Sequence, residues 1–233
     1  MTLSRERTPF FKTLWVWEDD VPRPGDQQMA VDDVLLESGF SVPLLRHYRW
    51  QGRWASFGRS QSLAASQREA EGLSLVRRPT GGGIVFHTAD WTFSLIVPAT
   101  EPSASLRPRE FYQRLHGTIS EILKLNSPNV EARLASGKDC RPHAACFSGP
   151  SAFDILAADG KKLCGGAQRR SRAGVLHQAS IQGIELPGDF LSLLANALAE
   201  TPLPFLPSKN IETRSAKLAA AHYGDRAWTE RVP

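Results

Sequence analysis

The chain has 233 residues, 41% of them hydrophobic and 22% charged, which supplies enough apolar side chains for one globular core and excludes a disordered or low-complexity polypeptide. Its three cysteines, Cys140, Cys146 and Cys164, lack the paired short spacings of a disulfide framework or a zinc site and fit a reducing compartment. A net charge of +4 favours an acidic partner by electrostatic steering, but no long basic block or aromatic-interleaved basic stripe is present, so nucleic acid is not indicated.

The stretch from Met1 to Phe11 mixes Arg5, Glu6 and Arg7 with two phenylalanines and has neither the apolar core of a signal peptide nor a membrane-spanning run. A cytoplasmic protein with no membrane partner is expected. Scattered Pro and Gly punctuation with no linker or repeat predicts a single domain over residues 1–233. Lys12 to Trp17 reads as a strand, Val21 to Gln27 as a Pro/Gly loop, and Gln28 to Ser38 as a helix. Leu44 to Trp50 and Arg53 to Phe57, separated by Gln51-Gly52, read as a hairpin. Leu73 to Arg78, Ile84 to His87 and Trp91 to Val97 follow as strands.

Phe111, Leu115, Ile119 and Ile122 form one apolar stripe on a helix that ends before Asn126. Four further strands are predicted at Val130 to Leu134, Ala152 to Ala157, Lys161 to Gln168 and Gly174 to Gln182, with Ala158-Asp159-Gly160 as a turn. Phe190 to Leu198 and Ile211 to His222 close the chain as helices. Many strands followed by helices, without βαβ alternation, predict an α+β fold with a mixed, mainly antiparallel sheet flanked by helices.

Two segments carry chemistry. Arg77-Arg78-Pro79-Thr80-Gly81-Gly82-Gly83-Ile84-Val85-Phe86-His87 runs from one strand through three glycines into another. Glycines permit positive φ and close backbone approach, so exposed N–H groups can form an anion-binding concavity with Arg77 or Arg78 adding charge. A tight hairpin with solvated arginines explains the same triplet; the spacing fits neither a Walker A loop nor a dinucleotide fingerprint. The second segment contains Cys146-Phe147-Ser148-Gly149-Pro150-Ser151, then Gly160-Lys161-Lys162-Leu163-Cys164-Gly165-Gly166-Ala167-Gln168-Arg169-Arg170, and farther on His177-Gln178-Ala179-Ser180. On an alternating strand Lys161 and Lys162 face opposite sides, so at most one of them points into a pocket.

Together, and in this order, these segments resemble the catalytic core of the biotin/lipoate protein ligase superfamily, specifically its lipoate-protein ligase A and octanoyltransferase members. Supporting likenesses are Gln28 to Asp32, Phe57-Gly58-Arg59-Ser60-Gln61 and Ala227-Trp228-Thr229, so the resemblance covers about residues 12 to 230. Departures occur at His87-Thr88-Ala89-Asp90-Trp91 and at Gln178-Ala179, where a His-Gly pair is common in the family. The resemblance implies a biotin/lipoate protein ligase catalytic-domain fold, with no room for the C-terminal accessory domain of larger ligases.

The resemblance also implies one of two chemistries: transfer of an octanoyl or lipoyl group from acyl-carrier protein through a cysteine thioester, without a cofactor, or ATP- and Mg2+-dependent ligation of free lipoate through an adenylate. Both end on a lysine of a lipoyl domain or a glycine-cleavage-type carrier protein. Cys146, in the context Ala-Cys-Phe-x-x-Pro-Ser, resembles the nucleophile position of the cysteine-dependent octanoyltransferases and favours transfer. A thiol of pKa ~8.5 needs a nearby cation at neutral pH, and Lys162 is the candidate; Cys164 and Cys140 are weaker rivals. By the same resemblance, substrate binding falls to Arg78, Thr80, Gly81, Gly82, Gly83, Ile84, Val85, Phe86 and His87, to Gly165, Gly166, Ala167 and Gln168, and to His177. Val85, Phe86 and Phe93 are candidates to line an acyl channel. A non-catalytic module that binds an acyl ligand or carrier is the third reading.

Overall fold

A computed structural model describes residues 9–126, 130–139 and 149–231. An eight-stranded sheet forms from β1 (Phe11–Arg23), β2 (Leu44–Trp50), β6 (Trp91–Pro98), β7 (Arg133–Leu134), β8 (Ile155–Leu156), β9 (Lys162–Arg170), β10 (Gly174–Ile181) and β11 (Ala199–Pro204), in the order β11-β1-β2-β6-β10-β9-β8-β7. Pairing is parallel on both sides of β1 and antiparallel from β2 to β7. The fold is therefore the expected α+β type with a mixed, mainly antiparallel sheet. A second sheet, β4-β3-β5, comprises β3 (Trp54–Phe57), β4 (Ser74–Arg77) and β5 (Val85–His87).

Two-residue alternation sorts the large sheet's side chains between two helical layers. On one face, Leu45, Leu95, Val97, Val175 and Ala179 pack with Phe111, Leu115, Ile119, Ile122 and Leu123 of α3 (Pro108–Asn126) and with Phe190, Leu194 and Leu198 of α4 (Phe190–Leu198). On the other, Leu44, Ile96 and Leu176 meet Val31, Val34 and Leu35 of α1 (Gly25–Leu36) and Ile211 of α5 (Lys209–Leu218). Each of these buried Val, Leu, Ile and Phe side chains contributes on the order of 1.5–3 kcal/mol of transfer free energy. Sandwiched between the sheet and α5, α1 buries even Asp32, whose carboxylate lies 2.7 Å from the buried guanidinium of Arg46.

Several sequence expectations change. β2 and β3 do not pair: both edges of β2 are taken, by β1 and β6, and β3 turns away past Gly52 (φ 87°) into the small sheet. Val21 to Gln27 is not a loop, since β1 continues through a register shift to Arg23 and α1 begins at Gly25. Strands predicted at residues 130–134 and 152–157 contract to β7 and β8. Two α-helices and one strand escape the periodicity. These are α2 (Leu63–Glu69), which buries only Ser66; β11, an outer strand carrying Pro202 and Pro204; and α6 (Arg226–Thr229). Among the described residues no helix is long and apolar enough to cross a membrane.

Candidate functional site

The small sheet leans over the end of β10 and β9, and a cavity of about 440 Å³ lies between them. The glycine run forms its roof. Arg77 and Arg78, adjacent at the end of β4, point to opposite sides. Arg77 donates to the carbonyls of Arg59, Gln61, Thr229 and Arg231, tying the C-terminal segment down, so it is not available as an anion ligand. Arg78 turns toward the cavity and holds the loop from inside: Nη1 donates to the Ser56 carbonyl (2.6 Å) and Oγ (2.8 Å), and Nη2 to the carbonyls of Gly81 (3.0 Å) and Gly83 (2.6 Å). Burial lowers its pKa to about 10. Gly82 has φ 83°, and its carbonyl occupies the space a Cβ on Gly58 would need, so both positions require glycine.

His87 is pinned from three sides. Its Nε2 lies 2.6 Å from Ser56 Oγ, its Nδ1 lies 2.7 Å from Asp90 Oδ2, and its ring stacks on Trp50 with centroids 3.9 Å apart. Asp90 Oδ2 also accepts from Thr92 Oγ1 (2.7 Å) and Ser180 Oγ (2.8 Å). Burial drives the His87 pKa below the imidazole range, against the opposing pull of Asp90. Burial also raises the Asp90 carboxyl, yet hydrogen bonds from His87, Thr92 and Ser180 outweigh it and leave the pKa below the usual value. The order Ser56–His87–Asp90 is that of a hydrolase triad, but Ser56 has no accessible surface and its oxygen already accepts from Arg78. The assembly works here as a clamp that fixes one wall of the cavity.

Lys162 supplies the opposite wall. Its ammonium is 2.7 Å from Asp154 Oδ2; the carboxylate is buried, whereas the lysine side chain is 47% exposed and open to a ligand. Asp154 is a functional candidate that the motif reading passed over. Alternation had limited the pocket to one of the two lysines. Both line it, because Lys161 precedes β9 and is not bound by its pleat. The glycines after Lys162 make the geometry possible: a Cβ on Gly165 would fall on the end of the Lys162 side chain, and one on Gly166 would lie 2.5 Å from His177 Nε2.

Arg78, Gly82, Gly83, Ile84, Val85, Phe86, His87, Gly165, Gly166 and Ala167 line the cavity with Lys162. Thr80, Gly81, Gln168 and His177 do not. His177 projects from β10 toward α3, beside Phe111, Tyr112 and His116, while its neighbour Gln178 projects into the cavity side. Thr80 Oγ1 donates to Gln178 Oε1 (2.8 Å), and Gln178 Nε2 donates to Asp32 Oδ2 (2.8 Å), which links the glycine loop to the buried Arg46 cluster. Phe93 is in the α3 and α4 core and is not a cavity wall.

Cys164, paired in register with Ile181, belongs to the same core but also borders the cavity; burial pushes its thiol pKa strongly upward, Asp154 adds to this, and Lys162 opposes it. It is therefore poorly suited to act as a nucleophile. Cys146 and Cys140 lie outside the described residues. Gly149, Pro150 and Ser151, which follow Cys146 in the chain, line the cavity. Among the described residues no three His, Cys, Asp or Glu side chains converge as a metal-ligand group.

The sequence profile of the lipoyl protein ligase A/B catalytic domain matches residues 24–182. A protein named octanoyltransferase LipM from Carboxydothermus hydrogenoformans is 31% identical over 175 residues, which cover 72% of this chain and 64% of that protein. Another of that name, from Geobacillus kaustophilus, is 33% identical over 186 residues, covering 73% and 66%. The chain thus spans slightly less than two thirds of these relatives. Among solved structures, protein Ta0514 of T. acidophilum with bound lipoic acid superposes with a TM-score of 0.74 at 19% identity, covering 93% of this chain and 98% of that one. Lipoate-protein ligase A bound with ATP gives 0.73 at 18% identity, covering 94% and 98%, so the fold is shared.

Proposed function

The chain belongs to the lipoyl protein ligase A/B catalytic-domain family, and from that premise we propose that it is an octanoyltransferase of protein lipoylation. It moves an octanoyl or lipoyl group from acyl-carrier protein onto a lysine of a lipoyl domain or glycine-cleavage-type carrier protein, through a thioester on Cys146 and without ATP. The names of the relatives that match 72% and 73% of the chain support octanoyl transfer over ligation.

The observation that carries the reading is the half-exposed ammonium of Lys162, braced by buried Asp154 in the same cavity that Gly149, Pro150 and Ser151 line. In the first step the Cys146 thiolate attacks the donor thioester carbonyl, a C–S bond to Cys146 forms, the carrier's C–S bond breaks, and the carrier's sulfur leaves as a thiolate that takes up the proton Cys146 gave up. Lys162 favours the thiolate and stabilises the oxyanion of the tetrahedral intermediate. In the second step the acceptor amine attacks the Cys146 thioester, the amide forms, and the cysteine sulfur leaves and regains its proton from the amine. Arg78, Thr80 and the three glycines hold the cavity's roof; Ile84, Val85, Phe86 and Ala167 offer apolar surface to the acyl tail. About six buried methylenes contribute roughly 5 kcal/mol before ordering costs.

The test mixes wild type and Cys146→Ser with octanoyl-acyl-carrier protein in the absence of ATP and follows the intact mass. A hydroxylamine-labile octanoyl adduct on wild type and none on the variant supports the proposal. No adduct, together with ATP-dependent attachment of free lipoate to a lipoyl domain by both proteins, replaces it with a ligase.

A further inference from the structure

Behind Lys162, on the side of β9 and β10 that faces α3, lies a pair of histidines that the transfer chemistry leaves unused. His116 of α3 and His177 of β10 have no accessible surface, and their Nε2 atoms are 3.3 Å apart. The outer partners fix which atoms carry protons. The carbonyl of Phe153, 2.7 Å from His116 Nδ1, can only accept, so that nitrogen carries hydrogen and His116 Nε2 is bare. His177 Nε2 must then be the donor, and its Nδ1 accepts from Gln168 Nε2 at 3.4 Å. One directed chain runs from Gln168 through His177 and His116 to the backbone at Phe153. Burial keeps both rings neutral, pushing each below the usual imidazole range.

The backbone at the end of that chain is in a conformation that side chains seldom adopt. Phe153, with φ 69°, is the one non-glycine residue among those described with positive φ. Its N–H donates to the Ala135 carbonyl (3.0 Å), and Arg109 lies over its ring. The next residue is Asp154. Its N–H donates to the Ser151 carbonyl (3.0 Å), and its Oδ2 receives both the Ser151 N–H (2.7 Å) and the Lys162 ammonium (2.7 Å). Gly166 leaves the room that His177 fills, and Gly165 the room that Lys162 fills, so adjacent glycines accommodate both ends of the path.

We propose that His116, seated by His177, is a positioning residue: by holding the carbonyl of Phe153 it sets the turn that presents Asp154 to Lys162. The catalytic part of this inference rests on the proposed role of Lys162, whereas the positioning part does not.

The experiment reads Lys162 directly. An amine held in an ion pair is acylated slowly, so trace labelling with acetic anhydride, quantified by peptide mass spectrometry against Lys161, reports whether Asp154 is engaged. Wild type is compared with His116→Asn, which keeps a donor near the Nδ1 position, with His116→Leu, which has none, with Asp154→Asn, and with the Leu/Asn double variant. The expected pattern is several-fold faster labelling of Lys162 in His116→Leu and in Asp154→Asn, near-wild-type labelling in His116→Asn, and no further rise in the double variant. Wild-type labelling in folded His116→Leu, or additive effects in the double variant, overturns the proposal. Nitrogen-15 NMR of the wild type keeps it falsifiable if the leucine variant fails to fold, because an Nε2–H tautomer of His116 would also overturn it. The acyl-enzyme rate is measured on the same proteins. Labelling as expected with no acyl-enzyme in wild type leaves the positioning intact and rejects the transferase instead.

Discussion

The adjacent glycines Gly165 and Gly166 face different neighbours, so replacing each with alanine separates stability from site geometry. In Gly166→Ala the new methyl meets His177 Nε2 at 2.5 Å, Cε1 at 2.6 Å and the Gln178 carbonyl at 3.2 Å. None of these can move freely, since the ring is fully buried and the carbonyl belongs to a central strand. Overpacking of this kind costs about 1–3 kcal/mol, against a gain of about 0.4–1 kcal/mol from a stiffer unfolded chain. At roughly 2–4 °C per kcal/mol for a chain of this size, Tm falls by up to about 10 °C. In Gly165→Ala the methyl meets the flexible end of Lys162, which can swing into solvent, and lies 3.1 Å from the buried Asp154 Oδ1. Asp154 then loses its cation but keeps the Ser151 N–H, and water can follow the departing ammonium, so the stability cost is about 1–2 kcal/mol, offset in part by the same gain from a stiffer unfolded chain. The ammonium nevertheless leaves its place. Melting curves and acyl-enzyme rates on both variants test this: Gly165→Ala should lose at least about tenfold in rate, equivalent to ~1.4 kcal/mol of barrier, with Tm lowered by at most a few degrees. A larger Tm loss in Gly165→Ala than in Gly166→Ala, or full activity in Gly165→Ala, would refute the assignment of these two contacts.

Burial depresses the pKa values of His47, His87, His116 and His177, so the unfolded chain binds more protons than the folded one once pH falls below about 6.5. Their stability contribution is complete above that pH and declines as pH drops toward each depressed folded value, by up to about 1.4 kcal/mol per unit per histidine; melts from pH 7.5 to 5 (about one to two units either side of the histidine range) should show Tm falling on the acid side, and a flat profile would contradict it. Thr80→Val removes the donor to Gln178 Oε1 and leaves a buried acceptor unpaired, costing about 1–3 kcal/mol by denaturant unfolding, whereas a neutral result would mean the amide finds another partner. Arg78→Lys cannot reproduce four hydrogen bonds in a planar fork, so it should loosen the glycine loop and increase its backbone hydrogen exchange; unchanged exchange would show that the loop holds itself.

Much of the cavity wall was legible because the glycine run and the lysine-glycine run are dense motifs whose order resembles a known family. What the motifs hid was side-chain direction. Arg77 and Arg78 are equivalent in composition, yet only Arg78 faces the cavity; the adjacent His177 and Gln178 likewise point apart, His177 against Phe111, Tyr112 and His116 and Gln178 to the cavity side. Asp154 had a usable signal. A hairpin turning at Ala158-Asp159-Gly160 brings it diagonally across from Lys162, where opposite charges attract. Ser56 had none, since its partners Arg78 and His87 lie 22 and 31 residues away in sequence. The hairpin expected between β2 and β3 was wrong because a turn signal says nothing about competitors for a strand's edge, and β1 and β6 both claim β2. β11 was invisible for a related reason, as two prolines suit an outer strand that looks like loop in sequence.

Whether the acyl group passes from carrier to carrier by way of the proposed Cys146 thioester is read out by a complete transfer reaction. Purified protein, octanoyl-acyl-carrier protein and an unmodified lipoyl domain are combined without ATP, and the lipoyl domain's mass is followed for wild type, Cys146→Ser and Lys162→Ala. Octanoylation of the domain's lysine by wild type, none by Cys146→Ser and a strongly slowed reaction with Lys162→Ala are expected. Octanoylation by Cys146→Ser at the wild-type rate would rule out passage through that cysteine.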